Sequence, residues 1–204
     1  MSRPLIVCSV ACSVALWSLP LSVSGQQAGG GGGTPSAMRA PQEARQFDFL
    51  IGQWRLQVKP LVNGLAAKIH GAPKMQGTWK AWRAMEGWGI EDEIRIVDAS
   101  GNPRTLSHAI RLYDATARQW SQVVADAYKG QFTNATAQFQ GAEMVLTGRG
   151  TDGEGKAFIS KTRFYDITPT TFKYRNDRSY DQGQTWTEGV LSIEATRTAA
   201  EATR

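Results

Sequence analysis

From Phe47 to Arg197 the sequence is a series of strand-length segments, each ended by residues that turn the chain. The turns include Asp98-Ala99-Ser100-Gly101-Asn102-Pro103, Asp114-Ala115-Thr116, Asp152-Gly153-Glu154-Gly155 and Asp181-Gln182-Gly183. Between them the pattern predicts strands near 53–62, 76–86, 88–97, 105–114, 118–126, 130–139, 142–149, 156–166, 171–179 and 185–196. No helical periodicity intervenes, so each strand is expected to pair antiparallel with its sequence neighbour. Strands joined in this way close most easily into a barrel, and a barrel has an interior. The expected fold is all-β: an antiparallel up-and-down β-barrel of about 8–10 strands.

Alternation supports strands over helices. Trp88, Ile90, Ile94 and Ile96 share one face of their segment, and Glu91, Glu93 and Arg95 the other. In the segment from Ala157 to Asp166 both faces mix polar and apolar residues, as expected of a barrel with a partly polar lumen. A short N-terminal helix is expected over Pro41 to Ile51. Pro41 suits its first turn, Phe47, Leu50 and Ile51 share a face, and Gly52 suits its stop. Such a helix could plug one end of the barrel.

The first 25 residues carry one basic residue, Arg3, and an uncharged apolar stretch from Leu5 to Leu21, then Ser22-Val23-Ser24-Gly25. This is the pattern of a signal peptide (1–25), and no later segment is apolar for long enough to span a bilayer as a helix. The mature chain is therefore expected to be exported, periplasmic or secreted, with no transmembrane segment. Residues 26–40, with five consecutive glycines at 29–33, read as a flexible linker; 41–197 is the barrel domain and 198–204 a disordered tail. Both cysteines, Cys8 and Cys12, lie in the leader, so no disulfide or thiolate metal site is expected in the mature chain. Cleavage lowers the formal net charge of +5 by one. The remaining Lys and Arg are dispersed, which argues against nucleic acid as a partner.

Several motifs invite a chemical reading. Gly148-Arg149-Gly150-Thr151-Asp152-Gly153 matches a dinucleotide glycine pattern, and Gly150 to Lys156 nearly matches a phosphate loop. Both need a helix N-terminus after the glycines, whereas Ala157-Phe158-Ile159-Ser160 reads as a strand. A hairpin turn is the expectation. Glu91-Asp92-Glu93 places Glu91 and Glu93 on one face and Asp92 on the other. His70 falls in a loop and His108 in mid-strand, too little for a zinc site. Ser107 and His108 are strand neighbours and point to opposite faces, so they cannot pair as nucleophile and base.

Phe47-Asp48-Phe49-Leu50-Ile51-Gly52-Gln53-Trp54, Leu112-Tyr113-Asp114 with Gln119-Trp120, and Asp181-Gln182-Gly183-Gln184-Thr185-Trp186 together carry a resemblance. The chain resembles a widespread bacterial family of uncharacterised lipocalin-like, or calycin-like, domains across about Phe47 to Arg197. The resemblance implies an antiparallel barrel with room for a ligand and brings no established reaction. Two positions depart from the family pattern: Gln182 replaces a turn glycine, and the last strand, Gly189 to Ala195, lacks a second tryptophan.

The leading expectation is a binding protein, not an enzyme, whose lumen takes a small, largely apolar molecule without a cofactor. Trp82, Trp88, Trp120 and Tyr174 are expected as apolar walls, and His108, Arg111 and Arg175 as polar anchors. One rival is a barrel enzyme of isomerase, cyclase or dehydratase type that pairs Glu91 or Glu93 with His108 or Arg111. A second is a heme barrel with His108 as axial ligand. A third is an accessory domain that binds another protein through an open strand edge. Trp54 and Trp186 are expected to meet at the barrel seam.

Overall fold

The structure, a computed structural model, describes residues 38–62 and 72–198. Residues 1–25, which read as a signal peptide in sequence, the glycine tract and His70 lie outside the described residues. The ten strands are β1 (Gly52–Pro60), β2 (Met75–Ala84), β3 (Gly89–Asp98), β4 (Pro103–Asp114), β5 (Gln119–Asp126), β6 (Gln131–Gln140), β7 (Glu143–Thr151), β8 (Ala157–Tyr165), β9 (Thr171–Ser179) and β10 (Thr187–Arg197). Each corresponds to one of the ten segments expected from sequence, with ends moved by no more than two residues.

Every strand pairs antiparallel with the next, and β1 pairs with β10 to close the barrel. Trp54 lies opposite Arg197, Leu56 opposite Ala195 and Val58 opposite Ile193 across this seam. Closure satisfies the ladder on both sides of every strand. The ring therefore offers no open edge to a partner strand, contrary to the accessory-domain expectation.

Alternation sorts side chains between core and solvent. On β1, Trp54, Leu56 and Val58 are buried while Arg55, Gln57 and Lys59 are exposed. On β3, Ile90, Asp92 and Ile96 are buried on the inner face. At two inward positions a side chain would not fit. A Cβ on Gly77 would lie 2.3 Å from the Arg95 carbonyl oxygen, and one on Gly148 would lie 2.8 Å from that of Asn134. These glycines let neighbouring backbones approach where the strands coil.

The N-terminal helical segment consists of two 3-10 turns, Gln42–Arg45 and Asp48–Leu50, and not one α-helix. The reason lies in the apolar spacing. Ala44, Phe47 and Leu50 recur every third residue and are all fully buried, a repeat that matches three residues per turn. Amides donate three residues back, Ala44 to Pro41 O at 3.1 Å and Leu50 to Phe47 O at 3.0 Å.

These turns form the plug. Phe47 meets Trp120 edge-on at 5.0 Å and Phe164 at 6.0 Å, and Trp54 meets Phe172 at 4.7 Å. Each fully buried aromatic contributes roughly 1.5–3 kcal/mol of transfer free energy. Arg197 fastens the plug to the end of β10: it donates to Ile51 O at 2.6 Å and Pro169 O at 2.7 Å, with its guanidinium 4.1 Å from the Trp54 ring centroid. Trp186 lies elsewhere, in the β9–β10 hairpin at the other end, and donates to Gly183 O at 3.1 Å. The expected meeting of Trp54 and Trp186 at the seam does not occur, because the hairpin's own turn claims Trp186.

Candidate ligand-binding lumen

Above the aromatic plug the barrel interior holds a cavity of about 950 Å3. Its lower wall is formed by Trp79, Asp92, Arg111, Leu146, Phe164 and Tyr174. Higher up, Ile94, Val124, Leu191 and Phe158 alternate with Ser107, Gln122, Ser160, Asn176 and Arg178. The opening lies among the β3–β4, β5–β6, β7–β8 and β9–β10 hairpins, at the end away from the plug.

The floor is a buried polar unit. Trp79 Nε1 donates to Asp92 Oδ1 at 2.7 Å, and Asp92 is ion-paired with Arg111. Asp92 is 1% exposed and Arg111 3%. Two charges are tolerated at that depth because each compensates the other. The Arg111 guanidinium also sits 5.2 Å from the Phe47 ring centroid, which joins the floor to the plug. Burial pulls the Arg111 pKa down to about 9, with the Tyr174 hydroxyl acting in the opposite direction, so the side chain stays charged at neutral pH.

Burial pushes the Tyr174 pKa up, opposed by its hydrogen bond with Thr162 and by Arg111 and Arg178; Tyr174 is therefore a neutral phenol. Asn176 Nδ2 donates to Thr162 Oγ1 at 2.8 Å. Apart from the atoms of the Asp92–Arg111 ion pair, three buried atoms on this wall have no hydrogen-bond partner: Arg111 Nε, Gln122 Oε1 and Arg178 Nε. Such atoms are costly to bury unless a bound molecule or water completes them. The arrangement can hold a small molecule by both apolar and polar contacts. Asp92, held by Arg111 and Trp79, is not free to act as a base.

The structure divides the residues expected at the site. Arg111 and Tyr174 face the lumen. Trp120 also points inward, but it is fully buried in the plug, where its Nε1 donates to Gln46 Oε1 at 3.1 Å. Trp82, His108 and Arg175 lie on the outer surface. Strand parity is the cause: Trp79 and Ala81 take the inner face of β2, Ser107 and Ala109 that of β4, and Tyr174 that of β9.

Trp88 does not line the cavity. It ends a 3-10 turn, Met85–Gly87, in which Met85 and Glu86 both have positive φ, and this resets the alternation before β3 begins at Gly89.

Both rival chemistries built on the outer face are corrected with these positions. His108 Nε2 lies 3.3 Å from Glu91 Oε2 outside the barrel, and Glu93 lies outside with them. His108 therefore supplies no axial ligand to the lumen, and the Glu91 or Glu93 acid–base pairs do not form there. Arg175 spends its charge outside on Asp177 at 2.9 Å and Glu188 at 3.4 Å. The glycine motif at 148–153 is the end of β7 and the β7–β8 hairpin, where Asp152 Oδ1 accepts from the amides of Glu154 and Lys156 at 3.0 and 2.9 Å.

Sequence reasoning missed Trp79, Asp92, Gln122, Asn176 and Arg178. A signal existed for two of them. Asp92 shares parity with Ile90, Ile94 and Ile96, and Arg178 with Phe172 and Tyr174.

No protein family and no curated protein matches the sequence. Among solved structures, the S-type phycobiliprotein lyase CPES from Guillardia theta superposes with a TM-score of 0.51 at 11% identity, covering 78% of this chain and 97% of that one. A redesigned β-barrel, mFAP0, bound to DFHBI gives a TM-score of 0.38 at 8% identity over 73% of this chain and 99% of that one. A de novo designed fluorescence-activating β-barrel gives 0.37 at 11% identity over 74% and 95%. At such identities the likeness speaks to fold alone: the chain is a closed, lipocalin-like, up-and-down β-barrel.

Proposed function

We propose that this chain is an exported carrier or binding protein whose lumen takes a small organic molecule with both apolar and polar groups. The observation that carries this reading is the cavity of about 950 Å3, closed below by aromatic residues and lined by buried polar atoms without partners. Its size lies in the range of ligand sites, roughly 300–1,000 Å3. A side-chain-filled core would leave neither the space nor the unmet hydrogen-bonding groups.

The lining favours a less apolar ligand than composition alone suggests. Ser107, Gln122, Ser160, Asn176 and Arg178 interrupt the aliphatic wall, so a pure hydrocarbon would bury polar groups without compensation. Export rests on the leader-like pattern of residues 1–25.

Native mass spectrometry of protein purified from the exported fraction tests this reading. A bound mass of a few hundred daltons that solvent extraction removes is the expected result. Ligand-free protein that takes up nothing from a cell extract overturns it.

A further inference from the structure

The lumen contains a cation, Arg178, that no carboxylate among the described residues contacts. Among the inward-facing charges, Arg111 is paired with Asp92, and Lys129 at the mouth with Asp126 at 2.7 Å. Arg178 makes no ion pair among the described residues, and its Nε is buried without a hydrogen-bond partner. Its guanidinium carbon sits 4.1 Å from the Phe158 ring centroid, which holds the group against the wall and leaves its N–H donors to be matched. The rim carboxylate Asp152 accepts from the amides of its own turn, and Arg178 acts on it only through space, without an ion-pair contact.

The surroundings of Arg178 match one kind of ligand. Asn176 is inward on the same strand, and Ser160 is the opposed residue on β8. Lower in the cavity, the 3% exposed Arg111 leaves its Nε unpartnered, and Gln122 leaves Oε1 without a donor. A neutral ligand would strip water from Arg178 and return no charge, whereas a planar acid group pairs with a guanidinium through two parallel hydrogen bonds.

We infer that the lumenal ligand is an organic anion, with a carboxylate or sulfonate on Arg178 and an apolar body against Ile94, Val124 and Leu191. An N–H or O–H on that body satisfies Gln122. This inference rests on the lumenal binding reading above, and its test separates the two.

The probes are 8-anilino-1-naphthalenesulfonate and N-phenyl-1-naphthylamine, which share one ring system and differ by the acid group. Fluorescence titration of the purified protein should show the sulfonate binding at least tenfold more tightly. R178Q should weaken the sulfonate at least tenfold and change the neutral probe less than twofold. R55Q, which removes an exposed arginine from the outer face of β1, should change neither.

In unsubstituted protein, decanoate should displace the neutral probe at a concentration at least tenfold below that of 1-decanol. This comparison holds even if R178Q fails to fold. Equal affinity for the two probes, equal loss of both in R178Q, or displacement by decanol at or below the decanoate concentration overturns the anion assignment and leaves the lumenal reading standing. Failure of both probes to bind overturns both.

Discussion

Asp92 is the residue on which the lumen floor depends. Its two oxygens serve different partners, Oδ1 taking the Trp79 indole N–H and Oδ2 the Arg111 guanidinium. Replacing it with asparagine keeps the shape and a hydrogen-bond acceptor but leaves a buried guanidinium uncompensated. Asp92→Asn is therefore expected to cost about 3–5 kcal/mol in urea unfolding, the range for breaking a buried pair from one side. The double substitution D92L/R111M removes both charges and should cost far less than D92N. Equal loss in the two proteins would show that the pair acts through shape and not through charge. Arg178, one level higher, differs because no carboxylate among the described residues makes an ion-pair contact with it, and this difference motivates the proposed ligand role.

The four mouth hairpins whose turns are fully described share a device. Each begins with an aspartate whose carboxylate accepts backbone amides of its own turn: Asp98 from Ser100 and Asn102, Asp126 from Tyr128 and Lys129, Asp152 from Glu154 and Lys156, and Asp181 from Thr185. The Asn102 side chain, ahead of the other bonds to it, holds the Asp98 pKa at about 2, and the Thr185 hydroxyl does the same for Asp181. Hydrogen bonding from Lys156 lowers that of Asp152.

A carboxyl group whose folded pKa lies below its unfolded value stabilises the fold above the unfolded value, and that stability is lost as pH falls through the folded one. The thermal midpoint should thus be flat with respect to these groups above about pH 4 and fall between about pH 4 and pH 2. The D98N/D181N protein should show a smaller fall over that window; an unchanged fall would place the acid sensitivity elsewhere.

These hairpins were readable in the sequence because turn chemistry is local: Asp98, Asp152 and Asp181 each precede a glycine within three residues. Strand faces were less readable where neighbouring structure decides them. On β4 the apolar residues Leu106, Ile110 and Leu112 point outward with His108, while Ser107, Ala109 and Arg111 point inward. Hydrophobicity alone favours the reverse assignment. Trp88 was misplaced because the positive φ of Met85 and Glu86 carries no glycine signature at those positions. The plug was legible in its apolar residues and not in its helix type, which the three-residue spacing of Ala44, Phe47 and Leu50 determines.

Across the whole molecule the barrel has two unlike halves. The plugged half is a packed aromatic core that fixes the shape; the open half keeps a cavity whose wall combines aliphatic surface with unmatched polar atoms. A packed lower half and a hollow upper half are the arrangement that the proposed lumenal binding requires. Two tryptophans on β2 provide reporters for the two sides of the wall: Trp79 faces the cavity floor, while Trp82, three residues on, lies outside beside His108, 5.7 Å between ring centroids.

The most direct measurement is the indole N–H region of a 15N–1H NMR spectrum during titration with 8-anilino-1-naphthalenesulfonate. Lumenal binding predicts that the Trp79 resonance moves and saturates while that of Trp82 stays in place. A Trp82 resonance that moves while Trp79 stays, or a spectrum in which neither moves, would contradict it.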